Sequence, residues 1–151
     1  MRTILTVAAA FLAVTATALA TGRSPASTAP ATLSLVAVEQ HCGGADLPPR
    51  DGSPGDIGMC RGRLQVAGTN DHAGRAAWFC PYTGAERDGD VCTAVASLRG
   101  GDIALAGRLS HTNATSTWAV TGGTGAYAGA RGTAVLRQVN RRRTAVTISL
   151  L

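Results

Sequence analysis

Trp118-Ala119-Val120-Thr121-Gly122-Gly123-Thr124-Gly125-Ala126-Tyr127-Ala128-Gly129-Ala130-Arg131-Gly132-Thr133 decides the architecture of this chain. Two β-rich runs flank a glycine-dense turn, which reads as strand, tight corner, strand. Gly122, Gly123 and Gly125 permit positive φ and a sharp reversal. The Thr124 hydroxyl can bond neighbouring backbone within the turn. Tyr127 joins an apolar ring to a hydroxyl suited to a polar rim. The Arg131 fork can tie loop carbonyls or an acidic side chain. The first role of such a segment is to brace a corner.

Working outward, short β-like runs recur between Gly, Asp, Asn and Pro, and no sustained helical stripe follows residue 20. The runs are Leu33 to Gln40, Ile57 to Thr69, Ala76 to Cys80, Val91 to Leu98, Asp102 to Leu109, Thr115 to Thr121, Gly132 to Asn140 and Thr144 to Leu151. Asn70-Asp71-His72-Ala73-Gly74 reads as a turn, and Arg99-Gly100-Gly101 as a tight hairpin connection. Val146, Ile148 and Leu150 share one face of the last run while Thr147 and Ser149 share the other. Ile103, Leu105 and Leu109 likewise oppose Asp102 and Arg108. One apolar and one polar face per strand fits a half-wet antiparallel sheet, and closing that sheet removes its edges. Eight such strands predict an all-β antiparallel barrel or sandwich.

The chain has 151 residues. Residues 1–20 have the layout of a secretory signal peptide: Arg2, an apolar run from Ile4, and the cleavage pattern Ala18-Leu19-Ala20. That run is too short and thinned by threonine for a spanning helix, so no membrane anchor is expected once it is removed. Residues 21–32 are small, polar and proline-punctuated, a flexible linker. Residues 33–151 form one domain's worth of chain, with enough length for a core.

All 14 basic residues are arginine, and the formal net charge is +5. Along the sequence they stand singly except for Arg141-Arg142-Arg143, which reads as a solvated hairpin tip; a nucleic-acid partner is not expected. The four cysteines all follow the export segment, which argues for two disulfides. Cys80 and Cys92 bracket a turn-rich loop between two strands, so they pair, leaving Cys42 with Cys60. A metal site at His41 and Cys42 lacks a supporting spacing, and no metal or cofactor is expected.

The segment from Trp118 to Thr133 resembles the G-G-T-G-x-F/Y-x-x-A-R-G corner of allene oxide cyclase-like and dirigent-like β-barrels. Val91 to Gly107 is similar to the hairpin that precedes this corner in bacterial members, and the likeness extends in order over residues 55–139. It implies an eight-stranded antiparallel calycin-like barrel, in agreement with the strand count. It also implies a small hydrophobic molecule as partner, and, if the protein catalyses at all, a cofactor-independent isomerase or cyclase acting by holding a reactive molecule in one conformation. Glu39, Tyr127 and Arg131 are the candidate catalytic residues, with Asp102 a further polar group that could stand at a barrel mouth. Trp78, Phe79, Trp118 and Tyr127 are the candidate ligand contacts. The face of Glu39 is open, since Leu33 and Leu35 share its parity while Val36 and Val38 do not. The picture is of a secreted, extracellular small-molecule-binding barrel, self-association being compatible with it. The alternative is a non-catalytic exported interaction module whose barrel is packed solid.

Overall fold

Period-two alternation explains the strands observed in the computed structural model, which describes residues 32–50, 52–84, 89–110 and 112–151. The expected export segment and nearly all of the linker lie outside the described residues. Val146 and Ile148 are buried while Thr147 and Ser149 are exposed, and Ile103 and Leu105 are buried on the neighbouring pattern. The strands are β1 (Thr32–Ala45), β2 (Ile57–Val66), β3 (His72–Pro81), β4 (Asp90–Leu98), β5 (Gly101–Leu109), β6 (Thr115–Gly123), β7 (Gly132–Asn140) and β8 (Arg143–Leu150). Each pairs antiparallel with the next, and β1 also pairs with β8, so the sheet closes into an eight-stranded up-and-down barrel. Closure gives every strand a partner on both sides, although residues 41–45 of β1 run on past β8 and pair with β2 alone. Inside sit Leu35, Leu64, Ile103, Leu105, Trp118, Val120, Val146 and Ile148.

Three strands depart from the expected bounds by three residues or more. β1 continues past Gln40 to Ala45, because a register shift between Glu39 and His41 carries the ladder onward to Cys42 opposite Cys60. β3 starts at His72 instead of Ala76, and β2 ends at Val66. The register shift between Leu64 and Gln65 absorbs the irregularity there, and Gly74 stays in the strand. A Cβ on Gly74 would collide with the Ser97 carbonyl, so this glycine serves close strand packing where the sequence suggested a break.

The corner itself folds as a single 3-10 turn, Gly125–Tyr127, between β6 and β7. Of the three glycines expected to use positive φ, Gly125 does so at 59°. Gly123 is needed for another reason: a Cβ there would meet the carbonyls of Tyr127 and Asp102. Thr124 reaches across to β5, its N–H donating to Asp102 O at 2.9 Å and its Oγ1 accepting from the Asp102 N–H at 3.0 Å. The Ala126 N–H donates to Gly100 O at 2.8 Å. The corner is thereby pinned to the Arg99–Gly100 hairpin, and the two together cover one end of the barrel.

Candidate functional site

The opposite end is open. A cavity of about 340 Å³ runs into the barrel from there. Its depth is walled by Leu35, Leu64, Leu105, Val146 and Ile148, and its mouth carries Glu39, Ser110, Asn113, Gln138 and Thr144. An eight-stranded barrel is just wide enough to be filled by side chains or to hold one small ligand. Here small residues at Ala37, Ala76, Ala94 and Ala96 leave the second outcome open.

Both tryptophans of the chain line this cavity. Trp118 is 3 % exposed, and its Nε1–H donates to Arg108 O at 2.9 Å, which leaves the ring as an apolar wall with its polar atom satisfied. The indole fits because Gly107 stands opposite it in the ladder; a Cβ at that position would run into the ring. Trp78 lies on β3 directly across from Ala94 of β4. Phe79 follows Trp78 on the strand, so the pleat turns it to the outer wall, where it is 40 % exposed. It is not a cavity residue.

Glu39 faces inward. Leu35, Ala37 and Glu39 all line the cavity, which answers the ambiguity left by the valines: Val36 and Val38 are on the outer wall. Among the described residues of the lining, Glu39 is the single acidic side chain, and no basic side chain or histidine accompanies it. It sits beside the irregularity of β1 at Gln40, the kind of feature that re-aims side chains at barrel rims. Its Oε2 lies 3.8 Å from Cys42 Sγ.

Tyr127, Arg131 and Asp102 belong to the other end. Tyr127 is half-buried against the core under the corner, Arg131 is exposed, and Asp102 is engaged through its backbone with Thr124. None of them lines the cavity. The reason is topological: the β6–β7 connection and the mouth loops fall at opposite ends of an up-and-down barrel.

Both disulfides stand at the mouth end. Cys42–Cys60 joins β1 to β2 and Cys80–Cys92 joins β3 to β4, with Cα separations of 4.1 and 4.2 Å. With all four cysteines bridged, a thiolate metal site at Cys42 has no ligand to offer. The long β1–β2 loop is held by Asp56. Its Oδ1 accepts from the Leu47 N–H at 2.7 Å and its Oδ2 from the Ser53 N–H at 3.0 Å, while the Asp56 carbonyl accepts from the Tyr82 N–H at 2.7 Å. The β5–β6 loop is organised by Ser110, whose Oγ accepts from the Asn113 N–H at 3.0 Å. The buried Ser116 Oγ in turn accepts from the Ser110 N–H at 3.1 Å.

Ser110, Asn113, Ser116, Gln138 and Thr144 were not singled out in the sequence. Gln138 shares parity with Leu136, and Thr144 with Val146 and Ile148, so alternation carried a signal for both. Asn113 lies in a loop without periodicity, so alternation carried no signal for it.

No family model and no curated protein matches the chain. Solved structures do. One described as pyocyanin demethylase superposes with a TM-score of 0.72 at 24 % identity, covering 80 % of this chain and 100 % of that one. A pterocarpan synthase dirigent protein superposes with a TM-score of 0.67 at 15 % identity, covering 87 % of this chain and 96 % of that one. At these identities the likeness is one of fold: the chain is a dirigent-like barrel.

Proposed function

We propose that this protein is an exported barrel that binds one small, largely hydrophobic molecule in its interior, with the polar end of that molecule at the Glu39 mouth. The observation that carries the reading is the cavity: about 340 Å³, apolar in depth, with two indole walls and a single carboxylate at its entrance. Ligand sites are typically concave, about 300–1,000 Å³, mostly apolar and supplied with few polar groups. A barrel packed solid, as an interaction module would have, offers no such space. The apolar N-terminal segment ending in Ala18-Leu19-Ala20, together with two disulfides, supports export.

If the bound molecule is converted, the reaction is an isomerisation or cyclisation in which the lining restricts the conformation of the substrate. Glu39 is the one lining side chain with a carboxylate to take or return a proton or to face developing positive charge. Trp78 and Trp118 would hold the reacting skeleton over it.

The test begins with native mass spectrometry of the protein purified from its own host, to detect a retained small molecule. Trp78 and Trp118 are the only tryptophans and both line the cavity, so tryptophan emission reports on it. The expected result is a co-purifying mass whose re-addition to stripped protein shifts tryptophan emission and raises Tm. An empty protein that responds to no hydrophobic compound in either readout refutes the reading. Glu39→Gln should leave an apolar ligand bound and lower any turnover by about 10²–10⁴-fold.

A further inference from the structure

On the outer wall, strand pairing gathers arginines that stand far apart in the sequence. Arg63 of β2 is directly opposite Arg75 of β3, and Val38 of β1 stands between Arg63 and Arg143 of β8 in the same row. Arg61 is one outward position further along β2, beside His41 of β1. Like charges placed directly opposite one another on a sheet are destabilising, so the facing Arg63 and Arg75 guanidinium groups repel each other. A groove of about 460 Å³ runs across this wall, lined by Gln40, His41, Arg61, Arg75, Val95 and Ser97 with the intervening backbone. None of the described residues lining it is acidic. At the Ser97 end the groove is bordered by Asp102 of β5, which pairs directly with Ser97.

We infer that this groove is a binding site for an acidic polysaccharide, separate from the barrel cavity. The Arg61 and Arg75 guanidinium forks match the carboxylate or sulfate groups of such a chain. Gln40 and Ser97 both donate and accept hydrogen bonds, which suits sugar hydroxyls spaced between the acidic groups. Nucleic acid is a poorer match, because the His41 imidazole is the single ring among the described lining residues, with no Phe, Tyr or Trp to form a stacking platform for successive bases. A lipid surface is also a poorer match, since a concave groove follows a chain while a bilayer is flat, even though Met59 and Phe79 are exposed further along the same wall. Arg63 adds charge beside the groove without lining it.

The test measures binding of four probes to the folded, disulfide-bonded protein: heparin, polygalacturonate, a single-stranded DNA oligonucleotide and phosphatidylglycerol vesicles. Wild type is expected to bind one or both polysaccharides, more weakly as ionic strength rises. Arg61→Gln combined with Arg75→Gln should weaken that binding about tenfold or more. Arg131→Gln combined with Arg137→Gln removes the same net charge from exposed positions elsewhere and should leave it unchanged. Arg63→Gln should raise Tm at low salt by relieving the facing charges, a readout that also verifies folding. Equal weakening by the two double variants, or no polysaccharide binding by wild type, overturns the inference. So does tighter binding of DNA or vesicles than of either polysaccharide. None of these outcomes bears on the cavity, so the two proposals stand or fall separately.

Discussion

Replacing Ala94 by leucine distinguishes an open barrel from a packed one by the sign of its effect. Ala94 lines the cavity, is half-buried, and faces Trp78 across the β3–β4 ladder. A leucine there projects into the space above the indole. It buries roughly three more carbons, each contributing about 0.8 kcal/mol, for an upper bound of about 2.4 kcal/mol. Some of that is lost because the cavity opens to solvent, so a gain of about 1–2 kcal/mol is expected, or about 4 °C of Tm for each kcal/mol in a domain of this size. In a close-packed core the same change would force side chains off their rotamers and cost about 1–3 kcal/mol. Urea denaturation with unchanged m-value gives the stability, and tryptophan emission under ligand titration gives the affinity. The expected outcome is a more stable protein that has lost most of its ligand binding. A destabilised protein, or a stabilised one that binds as well as wild type, refutes the placement of the ligand beside Trp78.

Other substitutions test the elements that shape the cavity. Gly107→Ala drives a methyl into the Trp118 ring and should cost about 1–3 kcal/mol, with a shifted emission spectrum because the indole is displaced. Asp56→Ala deprives the Leu47 and Ser53 N–H groups of their acceptor, and should cost about 1–3 kcal/mol with faster hydrogen exchange confined to the β1–β2 loop. Replacing either cystine by two serines opens a loop with a sequence separation of 18 or 12 residues, and each should cost about 3 kcal/mol in chemical denaturation.

The fold was legible because its signals are local. Alternation in β5 and β8 marks an inner and an outer face without reference to any other strand, and the glycine-dense corner marks a reversal that backbone sterics alone require. The cystine pairing was legible for a related reason: Cys80 and Cys92 flank one hairpin loop, which left Cys42 and Cys60 to each other, and antiparallel neighbours place both pairs side by side. The cavity was harder to read. On β1 both faces carry apolar residues, so parity alone could not assign Glu39. Val38 tolerates the outer wall because it stands between Arg63 and Arg143, whose methylene stems can shield it. The arginine row was invisible for the opposite reason, since residues 63, 75 and 143 meet only through register. Two register shifts, at Gln40 and between Leu64 and Gln65, help set that register, and neither has a distinctive residue pattern.

Which end of the barrel carries the site is a matter of counting. In an up-and-down barrel the connections alternate between the two ends. The corner after β6 therefore shares its end with the turns after β2 and β4, and faces away from the loops after β1, β3, β5 and β7. The Cys80–Cys92 loop follows β3, so Tyr127 and Arg131 could not stand at the disulfide-bearing mouth in any register of this topology. What then decides which end is open is connection length and cover. The turn after β4 is the pair Arg99–Gly100, and the corner folds its 3-10 turn directly over it through the Ala126 to Gly100 bond. The β1–β2 connection at the other end is tied by Asp56 to its own backbone at Leu47 and Ser53, and none of its described residues lines the cavity. The glycines that identify the architecture thus close one end of the barrel, and the proposed binding site lies at the end whose residues carry no recognisable motif.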